Sequence, residues 1–177
     1  ERPTDLGVVG KLVRKHHLSV EEFVYLRSLT RRVPKITLPS PGLFVNFWSP
    51  EASRDAYPIL DDFLADVVRI LREEVEKLAR LGAVYIQIDA PHYPLLLDPE
   101  TRAFYESRGW TLEEWLDLGI ELDNAVMGDI PGVTFGFHLC RGNQKSRWLV
   151  EGDYEAIAEP IFRGIRAHRL LLEYDDA

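Results

Sequence analysis

The segment Ala83-Val84-Tyr85-Ile86-Gln87-Ile88-Asp89 constrains the fold more than any other. It is β-rich and nearly apolar throughout, as a strand buried on both faces is. A long amphipathic helix leads into it. Leu60, Phe63, Leu64, Val67, Val68, Leu71, Val75 and Leu78 recur at spacings of three and four, and form one apolar stripe between about Tyr57 and Leu81. Gly82 separates the two, in the C′ position where helices end. A helix running directly into a fully buried strand points to a parallel α/β fold.

The remaining segments extend the alternation. Leu6 to Val13 reads as a short strand broken by glycines. Ser19 caps a helix from Val20 to Leu29, with Glu22 as its capping-box partner. Lys35 to Leu38 is a second strand, stopped by Pro39-Ser40-Pro41-Gly42, and residues 42 to 56 read as an irregular loop. Pro91 to Pro99 is another loop. Helices are predicted over Thr101 to Arg108, Thr111 to Met127 and Tyr154 to Arg166, and Thr111 and Glu114 form a second capping box. Val133 to Cys140 and Arg169 to Glu173 complete the strands.

The predicted order is β-α-β-α-β-α-β-α-β over a single domain, residues 1–177. A doubly wound sheet and a (β/α) barrel both fit it, and five strands are too few to close an eight-stranded barrel. The chain stops soon after a strand, which predicts further chain beyond it.

Composition narrows the partners. The formal net charge of −8 argues against nucleic acid or an anionic membrane as the main partner. Arg141, Lys145 and Arg147 form either a local basic pocket or a solvated loop. Cys140 is the only cysteine, so no internal disulfide forms, which fits a reducing cytoplasm. No apolar run reaches the roughly 18 residues of a membrane span. The polar start lacks the apolar core of a signal peptide. There is no Gly-x-Ser-x-Gly and no Gly-rich phosphate loop.

Polar residues gather at the C-terminal ends of the predicted strands, the edge where parallel α/β folds bind ligands. His138 and Cys140 are two apart on a strand and share a face. Imidazole and thiolate are natural zinc ligands, although a buried cysteine beside a satisfied histidine reads the same way. Glu173 follows an apolar strand and can supply a third ligand, leaving a catalytic opening, or can merely surface there. Asp89 can hold a substrate ammonium, position a proton, or cap a loop. His92 can sit at the mouth of the site. His16, His17 and His168 read as surface or packing residues, and Trp110, Trp115, Phe44, Phe47 and Trp48 as core or lid packing.

Four segments carry a family resemblance. Phe135-Gly136-Phe137-His138-Leu139-Cys140-Arg141-Gly142-Asn143 and Tyr85-Ile86-Gln87-Ile88-Asp89-Ala90-Pro91 resemble segments of the cobalamin-independent methionine synthases. Ile36-Thr37-Leu38-Pro39-Ser40-Pro41 is similar to their substrate-side loop, and Leu171-Leu172-Glu173-Tyr174-Asp175 to their third zinc-ligand segment. The four stand in the family's order.

The resemblance implies a (β/α)8 TIM-type barrel, here an incomplete one of about five β/α units. Its first strands would precede Glu1 and its last would follow Ala177. It implies zinc held by His138, Cys140 and Glu173, with a fourth ligand on a later cysteine that this sequence lacks. Ala90 stands where the family commonly has glutamate. Asp89 and His92 are the implied catalytic groups, and Asp89, Ser40, Arg141 and Asn143 the implied substrate contacts. The implied reaction moves a methyl group from 5-methyltetrahydrofolate, or from a corrinoid donor, to the thiol of homocysteine. Rival readings are zinc-dependent alkyl transfer to another thiol such as coenzyme M, a non-catalytic metal-binding partial barrel that pairs with a second copy, and metal-free acid–base work by Asp89 and His92.

Overall fold

The computed structural model describes residues 6–107, 109–145, 147–148, 150 and 152–173. Strands β1 (Ile36–Pro39), β2 (Tyr85–Asp89) and β3 (Thr134–Leu139) and a last strand, β6 (Arg169–Leu172), form one parallel sheet in the order β1-β2-β3-β6. Between β3 and β6, β4 (Asn143–Gln144) and β5 (Arg147–Trp148) make a small antiparallel hairpin.

The helices are α1 (Val20–Leu29), a 3₁₀-helix (Pro41–Phe47), α2 (Leu60–Arg80), α3 (His92–Leu95), α4 (Pro99–Ser107), α5 (Leu112–Met127) and α6 (Glu155–Gly164). No helix among the described residues is long and apolar enough to cross a membrane.

The core follows from strand alternation. Register pairs Ile36 with Ile86 and Ile86 with Phe135, then Leu38 with Ile88 and Ile88 with Phe137. These side chains are buried together with the apolar stripes of α2, α5 and α6. On the α2 stripe, Val75 and Leu78 are fully buried. The opposite sheet face carries Gln87, Asp89, Gly136 and His138. A Cβ at Gly136 would lie 2.9 Å from the Tyr85 hydroxyl and 3.3 Å from Leu171, so any larger residue there would displace the Tyr85 side chain. Gly82 ends α2 with a φ of +90°, and Thr111 forms the expected capping box with Glu114.

Several expectations are corrected. Leu6 to Val13 is not a strand. Val9 and Val13 are exposed, and the amides of Val8 and Leu12 donate to the Ser53 hydroxyl and the Tyr57 phenol oxygen. Side chains hold this segment on the surface, so the described sheet has four parallel strands. Ser19 makes no side-chain cap; its amide donates instead to the buried Glu74 carboxylate at 2.8 Å. The expected loop over residues 42 to 56 begins within the 3₁₀-helix, where the Ser40 hydroxyl accepts from the Gly42 amide. The loop from Pro91 contains α3. Arg108, the expected end of α4, lies outside the described residues, as do Glu1 to Asp5 and Tyr174 to Ala177.

Candidate metal centre

Parallel register builds the site. Asp89 at the end of β2 pairs with His138 on β3, and His138 pairs with Leu171 on β6. Cys140 lies two residues beyond His138, and Glu173 two beyond Leu171, so strand alternation sends all of them to one face. One ligand atom each from His138, Cys140 and Glu173 lie within 4.8 Å of one another.

Each side chain is held by a backbone group. His138 Nδ1 stands 3.0 Å from the Leu171 carbonyl oxygen. A carbonyl only accepts, so Nδ1 carries hydrogen and Nε2 faces the site. Nε2 is 3.6 Å from Glu173 Oε1 and 3.8 Å from Asp89 Oδ1. The other Glu173 oxygen, Oε2, accepts from the Arg141 amide at 2.9 Å. Cys140 Sγ accepts from the Gly142 amide at 3.3 Å, and Gly142 reaches back with a φ of +77°.

The electrostatics ask for a cation. Burial raises the Cys140 thiol above its ordinary value; the Gly142 amide opposes this, and Glu173 and Asp89 add to it. Burial also raises the Asp89 carboxyl, with His138 pulling it down and Glu173 pushing it up. Asp89 Oδ1 is buried without a hydrogen-bond partner. Glu173 and Asp89 therefore oppose ionisation of the Cys140 thiol, which positive charge among these donors would favour. The nitrogen, sulfur and oxygen donors suit a borderline-soft divalent cation.

No protein-family model matches the chain. The chain is 31% identical over 177 residues to the uncharacterized protein YxjG of Bacillus subtilis, covering 97% of this chain and 46% of that one. It is 29% identical over 169 residues to the methionine synthase of Pyrococcus horikoshii, covering 95% of this chain and 40% of that one. A crystal structure of the putative vitamin-B12-independent methionine synthase of Listeria monocytogenes superposes with a TM-score of 0.68 at 20% identity, over 96% of this chain and 47% of that one.

The chain is similar, at low identity and over part of their length, to proteins named methionine synthase.

It spans about half the length of the curated relatives it matches. Not every residue expected at the site reaches it. His92 is 1% exposed, sandwiched between Gly42 and the Tyr93 ring, not at an open mouth. Burial pushes its imidazole down to about 3, which keeps it neutral. Ser40 is fully buried. Its amide donates to the Asp89 carbonyl at 2.9 Å, and its hydroxyl turns inward to the Gly42 amide. The Arg141 guanidinium lies over the Tyr154 ring, 4% exposed, whereas Lys145 and Arg147 are exposed on the hairpin. The three therefore form no common basic pocket. Asn143 has its backbone in β4, and its side chain lies outside the described residues.

Tyr154 went unnoticed in the sequence. Its hydroxyl donates to the Leu139 carbonyl at 2.9 Å and accepts from the Glu173 amide at 3.1 Å, tying the ends of β3 and β6. Asp123 went unnoticed too, although a carboxyl on the apolar face of α5 was a readable signal. It is fully buried, and burial pushes it up to about 7, against the Ser40 and Tyr93 hydroxyls.

Proposed function

We propose that the chain is part of a (β/α)8 barrel and carries the thiol-activating site of a zinc-dependent methyltransferase. In this reading a methyl group passes from 5-methyltetrahydrofolate, or a related donor such as a corrinoid, to homocysteine, and methionine results. One observation carries it: His138, Cys140 and Glu173 offer a nitrogen, a sulfur and an oxygen within 4.8 Å, and His138 is turned toward them by the Leu171 carbonyl. Homology to proteins named methionine synthase supplies the substrate class.

His138, Cys140 and Glu173 would hold zinc, which would supply the Lewis acidity that lowers the pKa of a substrate thiol. The chain's own groups orient the reaction. The Leu171 carbonyl fixes the His138 ring, and the Arg141 amide fixes the Glu173 carboxylate. Asp89 stands beside His138 with one oxygen unpartnered, the right charge for the ammonium of an amino-acid thiol. His92, neutral and enclosed, shapes the loop and exchanges no proton with substrate in this reading. In the transfer, sulfur gains the methyl carbon as the bond to N5 breaks. N5 keeps the electron pair and takes a proton.

A second reading is a metal-binding domain without transfer chemistry. It needs only the three donors that the chain itself supplies, His138, Cys140 and Glu173.

The test is metal content of the purified protein and of Cys140→Ala by mass spectrometry, with methyl transfer to homocysteine assayed in parallel. Near-stoichiometric zinc that disappears in the variant, with transfer, supports the enzyme. Zinc without transfer to homocysteine or coenzyme M supports the second reading. No zinc in either protein after reconstitution overturns both.

A further inference from the structure

A buried polar cluster lies behind Asp89, outside the donor set of the metal centre. Asp123 enters from α5, Ser40 from the turn after β1, and His92 and Tyr93 from the turn after β2. Each is 1% exposed or less. The Tyr93 hydroxyl donates to Asp123 Oδ2 at 2.8 Å. Oδ1 is buried with no hydrogen-bond partner.

The surrounding residues are cut to fit this cluster. A Cβ at Gly119, one helical turn before Asp123, would lie 2.6 Å from the Tyr93 hydroxyl. A Cβ at Gly42 would lie 2.5 Å from His92 Nε2. Two glycines therefore let α5, the β1 turn and the β2 turn close on one another.

Burying a carboxyl costs several kcal/mol by common estimates. A helix that merely covered the sheet would carry an apolar residue here, as it does at Trp115, Leu116, Val126 and Met127. What the carboxyl gains is a link from α5 to the turn after β2. Ser40 holds the Asp89 carbonyl through its amide, and the next amide, Ala90, donates to the His138 carbonyl at 2.8 Å. The end of β2 is thus gripped on both sides by backbone bonds, and Asp123 anchors the turn that follows through Tyr93.

We propose that Asp123 is a positioning residue: from α5 it locks the β2 turn through Tyr93, and so helps to hold Asp89, at the start of that turn, opposite His138. Only its kinetic consequence rests on the proposed thiol transfer.

Hydrogen exchange with mass spectrometry tests the lock directly, on the full chain and on Asp123→Asn. The amides of Ala90, His92 and Tyr93 should exchange about tenfold faster in the variant, the change expected for loss of one hydrogen bond to a buried carboxylate. The amides of Phe135 to Leu139 should not change. Tyr93→Phe removes the donor hydroxyl and should accelerate the same amides, and it decides the matter if Asp123→Asn does not fold. Zinc content should be unaltered, and KM for homocysteine should rise about tenfold with kcat held within about threefold. Wild-type exchange in the β2 turn overturns the proposal. So does uniform acceleration, which would make Asp123 a global stability residue. A wild-type protein that transfers no methyl group would overturn the proposed function, and the exchange result would still decide this one.

Discussion

His138 Nδ1 and the Leu171 carbonyl oxygen stand 3.0 Å apart across neighbouring parallel strands. The main chain of β6 thereby sets the orientation of a side chain on β3, and Nε2 has one direction to face. Metal-binding histidines commonly owe their tautomer to such a partner.

The same principle extends to Tyr154, whose hydroxyl bridges the Leu139 carbonyl and the Glu173 amide. Tyr154→Phe should leave the protein folded and weaken zinc about 10- to 100-fold, the usual range for groups that support a ligand without touching metal. Competition with a chromogenic chelator measures it. Unchanged affinity would mean that the strand ends hold Glu173 without help.

His92 and Asp123 make opposite pH predictions. His92 falls from 6.5 unfolded to about 3 folded, so its contribution is present above 6.5 and lost as pH falls toward 3. Asp123 rises from 3.8 to about 7, so its contribution is present below 3.8 and lost as pH rises through 7. Between pH 4 and 6.5, lowering the pH should shrink the stability gap between wild type and His92→Asn, and widen the gap between wild type and Asp123→Asn. Each slope is at most about 1.4 kcal/mol per pH unit. Urea denaturation across this range reads both.

Two residues at helix starts should behave differently. Thr111 caps α5 through its side chain, and Ser19 caps nothing through its own. Thr111→Ala should cost about 1 kcal/mol and Ser19→Ala close to nothing, by urea midpoint at constant slope. Equal losses would contradict the assignment.

Gly119 is a packing requirement of the Tyr93 hydroxyl, 2.6 Å from where a Cβ would stand. Gly119→Ala should destabilise by about 1–3 kcal/mol, as overpacking does. Adding Tyr93→Phe should recover part of that loss, a coupling that a double-mutant cycle in thermal melts detects. Purely additive losses would show that the clash is relieved elsewhere.

Local chemistry made much of the fold legible. The stripe from Leu60 to Leu78, Gly82 after it and the apolar run to Asp89 each follow from period, backbone freedom and side-chain type, and the structure has α2 and β2 there. His138 and Cys140 were paired by strand alternation alone, and Glu173 by its place after an apolar strand. Leu6 to Val13 misled because apolar β-formers become a strand only beside a free edge, and side-chain acceptors at Ser53 and Tyr57 took its amides first.

What the sequence determined by itself was therefore periodic or adjacent: which segments are helix or strand, which residues share a face, and which donors stand at the strand ends. What only the tertiary structure decided was long-range: that Leu171 orients His138, that Tyr154 ties two strand ends, that His92 is enclosed, and that a carboxyl on α5 meets the Tyr93 hydroxyl. Such contacts depend on sheet order, register and the depth of each side chain. These are set by packing between distant segments, and no local pattern encodes them.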